Sequence, residues 1–195
     1  MELNTFGRAM RPFLLHQPNE SKWGGFMLSL DRAKALLNYD SDTGFLSWNI
    51  SPSNNIKPGK RAGTISSRGY LKVKIGGKSY PAHHLVWLLA NGSYPESEID
   101  HIDGDKLNNR ISNLRLANRH QNNTNVLKRK DNTSGFKGVT WRPKRNKWAA
   151  RISINGKRKN LGHYETKEEA AEAYIKYSLA HHGEFSPFNN RNIPR

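Results

Sequence analysis

One short stretch of this sequence combines an imidazole with oxygen donors suited to a hard cation. Asp100 and His101 are adjacent, Asn113 stands twelve residues after His101, and Asn122 stands nine residues after Asn113. Hydrolysis of a phosphodiester needs a base that activates water and a cation that stabilises the leaving oxygen. An imidazole can be that base near neutral pH, while a carboxylate and an amide oxygen suit a cation such as Mg²⁺. An asparagine bonded to the imidazole could fix its orientation.

Each of these residues, taken alone, also has a purely structural interpretation. An Asp-His pair beside a turn commonly forms a local hydrogen bond, and Asn113 is a residue type that favours turns. His120 and Asn118 could be solvent-exposed residues of a short helix. The chemical interpretation therefore depends on the order and the spacing of the residues together.

The elements around this stretch predict a mixed module of helices and strands. Helical spacing of apolar residues predicts a helix over 28–38, and residues 45–48 are typical of a strand. Alternation over 69–75, the Gly76-Gly77 turn and residues 78–82 predict a β-hairpin, followed by a helix over 83–90. Asp100 then lies at a strand end, and Asn122 lies on a short helix that begins near Ala117.

The C-terminal part of the chain predicts a separate small module after a basic linker at 127–133. Three short strands are predicted over 138–141, 147–154 and 157–161. Asn155-Gly156 is a strong hairpin signal between the second and the third. Thr166 and Glu169 form a capping box, which predicts a helix over 167–182 that packs on the sheet through its alanines.

Composition limits the class of protein further. Lys and Arg total 32 against 16 acidic residues, which gives a formal charge of +16 and favours a polyanionic partner. Cysteine is absent, which excludes disulfides, thiolate metal sites and a cysteine nucleophile. No apolar stretch approaches the ~18 residues that span a bilayer, and the start lacks a secretory signal. We therefore expect a cytoplasmic protein, with residues 1–26 as a weakly ordered leader.

The first module resembles the HNH endonuclease family, in its phage and intron-encoded branch. The resemblance runs from about Leu28 to Asn125 and is carried by these motifs: Tyr39-Asp40, Thr43-Gly44, Gly69-Tyr70, His83-His84-Leu85-Val86-Trp87, Ile99 to Gly104, Asn108-Asn109-Arg110, Asn113-Leu114-Arg115 and Asn122. It implies a ββα-metal motif that grips one divalent metal, Mg²⁺ or alternatively Mn²⁺. It also implies a host-cell location if the chain is phage-encoded.

The HNH resemblance also implies a role for each residue of the constellation. His101 is the general base and Asn113 positions it, while Asp100 and Asn122 ligate the metal. Asn122 stands where the family name has His, so His120 is the alternative ligand. His83 matches the family's usual His, and for it we predict a packing or phosphate-binding role.

The second module resembles the plant ethylene-response-factor (APETALA-type) DNA-binding domain. The resemblance is carried by Gly138-Val139, Lys147-Trp148-Ala149-Ala150, Leu161 to Tyr164, Thr166 to Tyr174 and Phe188-Asn189. It implies a three-stranded sheet in the major groove with one helix packed behind it. The predicted nucleic-acid-binding residues are Lys137, Arg142, Lys144, Arg145, Lys147, Trp148, Arg151 and Arg158.

This chain departs from the plant pattern at three positions. Thr140 and Trp141 stand where the plant proteins carry Arg, and Arg151 replaces an acid. Plant-like base specificity is therefore not expected. Trp141 and Trp148 could equally pack against the sheet.

Together these observations predict an α+β protein with an HNH nuclease domain at 27–126 and a DNA-binding domain at 134–190. We expect a metal-dependent DNA endonuclease that acts on double-stranded DNA as a monomer, with no small-molecule cofactor and no membrane association. The alternative is a DNA-binding regulator whose nuclease module is inactive. An RNA-binding protein is a third interpretation, which rests on charge alone.

Overall fold

The computed structural model describes residues 27–53, 55–126 and 132–189, which form a mixed α+β fold in two parts. The predicted leader and residues 127–131 of the predicted linker lie outside the described residues. Across the described ranges, none of the helices has the length and apolar character that crossing a lipid bilayer requires.

Helices and hairpins of the N-terminal part pack around one apolar core. Its first elements are α1 (Leu30–Leu36), β1 (Leu37–Asp40), β2 (Phe45–Trp48), β3 (Thr64–Ile65), β4 (Leu71–Ile75), β5 (Lys78–Pro81) and α2 (Ala82–Asn91). Strands β1 and β2 form an antiparallel pair, and β3, β4 and β5 form a three-stranded antiparallel sheet. Leu46, Val73, Leu85 and Val86 are fully buried between these elements.

The predicted first helix ends earlier than the apolar spacing indicated. Leu37 adopts an extended conformation and pairs with Trp48, so the prediction of helix as far as Asn38 is wrong at its last residues. The physical reason is tertiary pairing, because the apolar side chain of Leu37 is buried equally well by a strand.

A second hairpin and a short helix follow α2 and carry the constellation of interest. They are β6 (Glu98–His101), a 3₁₀ turn (Ile111–Asn113), β7 (Leu114–Ala117) and α3 (Arg119–Thr124). The antiparallel register places Asp100 opposite Arg115 and His101 opposite Leu114. Asn118 and Gln121 form a capping box that starts α3. This β-hairpin followed by a helix is the predicted ββα arrangement, although β7 was not predicted.

The C-terminal part is a three-stranded antiparallel sheet with one helix, as predicted. Its elements are β8 (Val139–Arg142), a 3₁₀ turn (Pro143–Arg145), β9 (Lys147–Ile154), β10 (Lys157–Tyr164), α4 (Lys167–His182) and a 3₁₀ turn (Gly183–Phe185). The capping box of Thr166 and Glu169 is present. Asn155 and Gly156 both have positive φ, as a tight hairpin turn requires. Because Ala150 and Ala170 are small and fully buried, α4 packs closely on the sheet.

Side chains from both parts meet between α3 and the end of α4. The ammonium of Lys137 donates hydrogen bonds to the carbonyl oxygens of Thr124, at 2.7 Å, and Val126. The rings of His120 and His182 lie 6.4 Å apart, centroid to centroid. The two parts are therefore in direct contact.

Candidate active site and nucleic-acid interface

The imidazole of His101 lies at the end of β6, where it is held by one asparagine. Its Nε2 lies 3.2 Å from Oδ1 of Asn109, and the amide nitrogen of Asn109 donates to the carbonyl oxygen of Leu107. This second bond orients the Asn109 amide so that its oxygen faces the ring, which assigns the hydrogen to Nε2. Nδ1 of His101 is then the basic nitrogen, and it has no hydrogen-bond partner among the described residues.

The environment of His101 keeps its imidazole neutral near neutral pH. Burial lowers the pKa of His101, and the hydrogen bond with Asn109 and the nearby Asp103 carboxylate offset this only in part. A neutral imidazole can accept a proton, whereas an imidazolium cannot. The protonation state therefore suits a general base.

Asn113 holds the loop after β6 and makes no hydrogen bond with the imidazole. Its Oδ1 accepts from the backbone N–H of Asp103 at 3.0 Å, and its Nδ2 donates to Oδ1 of Asp103 at 2.9 Å and to the carbonyl of Asn108 at 2.8 Å. Burial raises the pKa of Asp103, but the hydrogen bonds from Asn108 and Asn113 outweigh it, and the pKa is lowered overall. The direct contact that we expected from Asn113 is made by Asn109 instead.

The Asp100 carboxylate is almost fully buried and has two protein partners. Arg115 donates to Oδ2 of Asp100 through Nε at 2.9 Å and through an Nη at 2.7 Å. Nδ2 of Asn125 lies 3.0 Å from both carboxylate oxygens and also donates to the carbonyl of His101. Arg115 and Asn125 therefore fix the direction of this carboxylate.

Asp100, His101 and Asn122 line one cavity of about 280 Å³ at the surface. The amide nitrogen of Asn122 donates to Oε2 of Glu98 at 3.1 Å. Its amide oxygen, the atom that a hard cation would bind, accepts no hydrogen bond from any residue within the described ranges. The structure thus brings these three predicted residues to a common cavity, whereas His120 lines a different one.

The donor set at this cavity fits a hard divalent cation such as Mg²⁺. One carboxylate and one amide oxygen are protein ligands of the kind that Mg²⁺ uses when water and phosphate fill its other positions. Within the described part of the chain, no group of three or more His, Cys, Asp or Glu side chains forms a metal cluster. At this cavity the protein could supply two ligands to the cation, the Asp100 carboxylate and the Asn122 amide oxygen.

His83 packs behind the imidazole of His101. The two rings are 5.2 Å apart at 80°, and Tyr70 lies 6.0 Å from His101 on another side. Burial holds the pKa of His83 well below its usual range, and Nδ1 of His83 is enclosed without a hydrogen-bond partner in the described structure. These contacts agree with the predicted packing role of His83.

Four predicted nucleic-acid-binding residues gather around a second cavity on the C-terminal sheet. This cavity, of about 400 Å³, is lined by Arg142, Lys144, Arg145 and Arg151, together with Asn160 and His163. Burial and the charges of Arg145, Arg151 and Arg142 lower the pKa of His163, and Nε of Arg142 is enclosed without a partner among the described residues. Such a basic concavity suits a phosphate.

The other predicted nucleic-acid-binding residues are placed differently. Lys137 reaches the carbonyl oxygens at the end of α3, and Lys147 forms an ion pair with Glu165 at 2.7 Å. Trp148 is half-buried and packs 5.2 Å from Trp141. Arg158 is exposed on β10.

Several residues that contact the constellation were not predicted as site residues, among them Asn109, Arg115 and Asn125. Asn109 is one of seven asparagines between residues 99 and 125 and lies in the Asn108-Asn109-Arg110 motif, but we predicted no contact with the imidazole for it. Arg115 could have been found only from the strand register that places it opposite Asp100.

Comparisons with known proteins agree with both predicted resemblances. A family model described as HNH endonuclease matches residues 80–124, and one described as AP2 domain matches residues 134–184. Protein 3.8 of Escherichia phage T7 is 39% identical over 110 residues, which cover 55% of this chain and 90% of that protein.

Two further proteins are similar. An HNH endonuclease of Acanthamoeba polyphaga mimivirus, L560, is 35% identical over 129 residues, which cover 60% of this chain and 66% of that protein. The solved structure described as DNA binding and cleavage by the HNH homing endonuclease I-HmuI is 22% identical, and the match covers 80% of this chain and 90% of that one. The TM-score of that match is 0.37. These matches identify an HNH endonuclease domain at residues 80–124 and an AP2 domain at residues 134–184 of this chain.

Proposed function

We propose that this protein is a metal-dependent DNA endonuclease in which His101 is the general base. The observation that carries this proposal is the cavity that the His101 imidazole shares with Asp100 and Asn122. Its Nε2 is tied to Asn109, which leaves Nδ1 to accept a proton. Asp100 and Asn122 are the proposed ligands of Mg²⁺, with Mn²⁺ as the alternative.

The proposed reaction forms a P–O bond to the water oxygen, breaks the P–O bond to the leaving oxygen and moves one proton to His101; the leaving oxygen takes up a proton from solvent, and His101 returns its proton to solvent. Nδ1 of His101 takes a proton from a water molecule, whose oxygen bonds to phosphorus as the leaving oxygen departs. Asn109 keeps the hydrogen on Nε2 and holds the ring in place while the imidazole becomes positively charged. A bound divalent cation would stabilise the negative charge on the phosphate and on the leaving oxygen. Asn113 acts indirectly, through the loop that carries Asn108 and Asn109.

We propose double-stranded DNA as the substrate, because the AP2 match and the basic cavity on the C-terminal sheet both suit it. Arg151 lines both the basic 400 Å³ cavity and the 560 Å³ cleft between the two parts. The cleft also includes Asn123 of α3, the neighbour of Asn122. A duplex could therefore contact the C-terminal sheet and the proposed active site together, which raises the effective concentration at the second site. We propose a monomer without a small-molecule cofactor, acting in the cytoplasm of a host cell, which agrees with the similarity to a phage protein.

A plasmid-nicking assay tests the proposed base. The His101→Ala protein should nick supercoiled DNA about 10²- to 10⁴-fold more slowly in Mg²⁺ than the unaltered protein, and it should still shift DNA in a gel. His120→Ala tests the alternative ligand, because His120 lies on α3 but lines a different cavity. EDTA should abolish nicking by the unaltered protein.

Three results would change the proposal. Nicking by purified His101→Ala at the unaltered rate would exclude His101 as the base. Loss of nicking in His120→Ala, restored by a higher Mg²⁺ concentration, would transfer the ligand role from Asn122 to His120. Binding of DNA without any nicking in Mg²⁺ or Mn²⁺ would favour the DNA-binding regulator.

A further inference from the structure

Arg115 connects the Asp100 carboxylate to the C-terminal part of the chain. On one side its guanidinium donates two hydrogen bonds to Oδ2 of Asp100. On the other side an Nη donates to the carbonyl oxygen of Glu184 at 2.6 Å, and the guanidinium stacks 4.0 Å from the ring centre of Phe185. The Arg115 side chain is only 11% exposed, so it has little freedom to leave this position.

Glu184 and Phe185, which contact Arg115, belong to the last 3₁₀ turn, Gly183–Phe185, which directly follows α4. Glu184 contributes its backbone carbonyl, while its own carboxylate is 70% exposed and 3.9 Å from the guanidinium. The bond to the main chain and the stacking on Phe185 therefore hold Arg115, and a surface ion pair adds little.

We propose that Arg115 is a positioning residue for the metal site and that Phe185 and the Glu184 carbonyl anchor it. The C-terminal part would then set the direction of a carboxylate in the nuclease part. The inference rests on the proposed function, because it takes Asp100 to be a metal ligand.

The hydrogen-bond pattern favours positioning over competition with the metal. Both bonds from Arg115 go to Oδ2 of Asp100, whereas Oδ1 accepts only from Asn125 among the described residues. Because Arg115 leaves Oδ1 with a single donor, Asn125, this oxygen keeps a lone pair that it can present to a cation in a fixed direction. Groups that orient a ligand in this way typically contribute about 10- to 100-fold to metal affinity.

Mn²⁺ binding to the full-length protein, followed by electron paramagnetic resonance without DNA, tests this role. We expect Arg115→Gln to raise the Mn²⁺ dissociation constant about 10- to 100-fold. Arg115→Lys should recover only part of the loss, because a lysine lacks the paired donors of the guanidinium. Phe185→Ala should weaken binding in the same direction, although Phe185 is not part of the nuclease module.

Two control variants separate this inference from the proposed function. Leu179→Ala, on an exposed position of α4, should leave Mn²⁺ binding unchanged. Asp100→Asn should weaken it strongly, and unaltered binding in Asp100→Asn would refute the proposed metal site itself.

If Asp100→Asn loses affinity while Arg115→Gln and Phe185→Ala bind as the unaltered protein does, the inference fails and the proposed function stands. Tighter binding in Arg115→Gln would show that Arg115 competes with the metal, which also overturns the inference. Should Arg115→Gln fail to fold, as thermal unfolding would reveal, Phe185→Ala decides the question. Nicking at increasing Mn²⁺ should then need a higher concentration in Phe185→Ala and reach the same maximum.

Discussion

The turn between β1 and β2 touches the segment that holds the proposed base, and Gly44→Ala tests this contact. Gly44 has a φ of +76°, and a Cβ placed on it would lie 2.5 Å from the backbone nitrogen of Arg110 and 2.7 Å from the carbonyl carbon of Asn109. Asn109 is the hydrogen-bond partner of His101. A methyl group at residue 44 therefore pushes on the backbone that orients the His101 imidazole.

The loss of folding stability that we expect for Gly44→Ala has two contributions. Alanine in the left-handed region costs about 1–2 kcal/mol of folding free energy. Ordinary contact begins near 3.4 Å, whereas the added Cβ would come within 2.5 Å of the Arg110 nitrogen. The Asn109–Arg110 backbone must therefore also move by about 1 Å, and such overpacking costs typically about 1–3 kcal/mol. We expect Gly44→Ala to lose about 2–5 kcal/mol of stability, and a shift of about 1 Å near the base to slow nicking about 100-fold.

Gly59→Ala is the matched control for the conformational cost. Gly59 has a similar φ of +80°, but a Cβ there meets nothing within 4 Å. Urea unfolding should show a loss of about 1–2 kcal/mol for Gly59→Ala, and its nicking rate should not change. If Gly44→Ala and Gly59→Ala lose the same stability and nick equally fast, the contact between Gly44 and the Asn109 segment has no role in positioning His101.

Two further predictions concern acid stability and DNA binding. Burial lowers the pKa of His84 to about 4, so His84 does not change the free energy of unfolding above about pH 6.5. As the pH falls below that value, the unfolded chain takes up a proton at His84 before the folded protein does, and the folded protein is destabilised. Urea unfolding at about pH 5 and about pH 7.5 should show that the unaltered protein loses about 2 kcal/mol more stability on acidification than His84→Gln does, since His83 contributes to both proteins alike; an equal loss in both proteins would contradict the assignment. Arg142→Gln should weaken DNA binding and make the slope of log affinity against log salt shallower by about one, as filter binding would measure, whereas an unchanged slope would exclude a phosphate contact.

Patterns confined to a few neighbouring residues predicted the C-terminal part well. The Asn155-Gly156 turn and the capping box of Thr166 and Glu169 are local signals, and the structure contains both. Strand β10 extends to Tyr164, three residues beyond the predicted end. Its last residues pair with β9 after an irregularity between Asn160 and Gly162, which no alternation in the sequence marks.

The candidate site depends on contacts that local patterns do not carry. Strand β7 is only four residues long and is defined by pairing with β6, so neither β7 nor the partnership of Arg115 with Asp100 was predicted. The resemblance predicted that Asn113 positions the imidazole, yet both ends of the Asn113 amide form hydrogen bonds with Asp103. The motif therefore located the site, while the identity of the hydrogen-bond partner required three-dimensional coordinates.

Under the proposed function, the contact of Lys137 with the carbonyl oxygens of Thr124 and Val126 has a consequence for where the DNA would be cut. If only a flexible linker joined the two modules, the nuclease module would nick at variable positions around the DNA that the AP2 domain binds. Because Lys137 bonds to the carbonyl oxygens at the end of α3, it holds the C-terminal module at a fixed distance from the nuclease module. The nick should then fall at a constant offset, in base pairs, from the docking sequence.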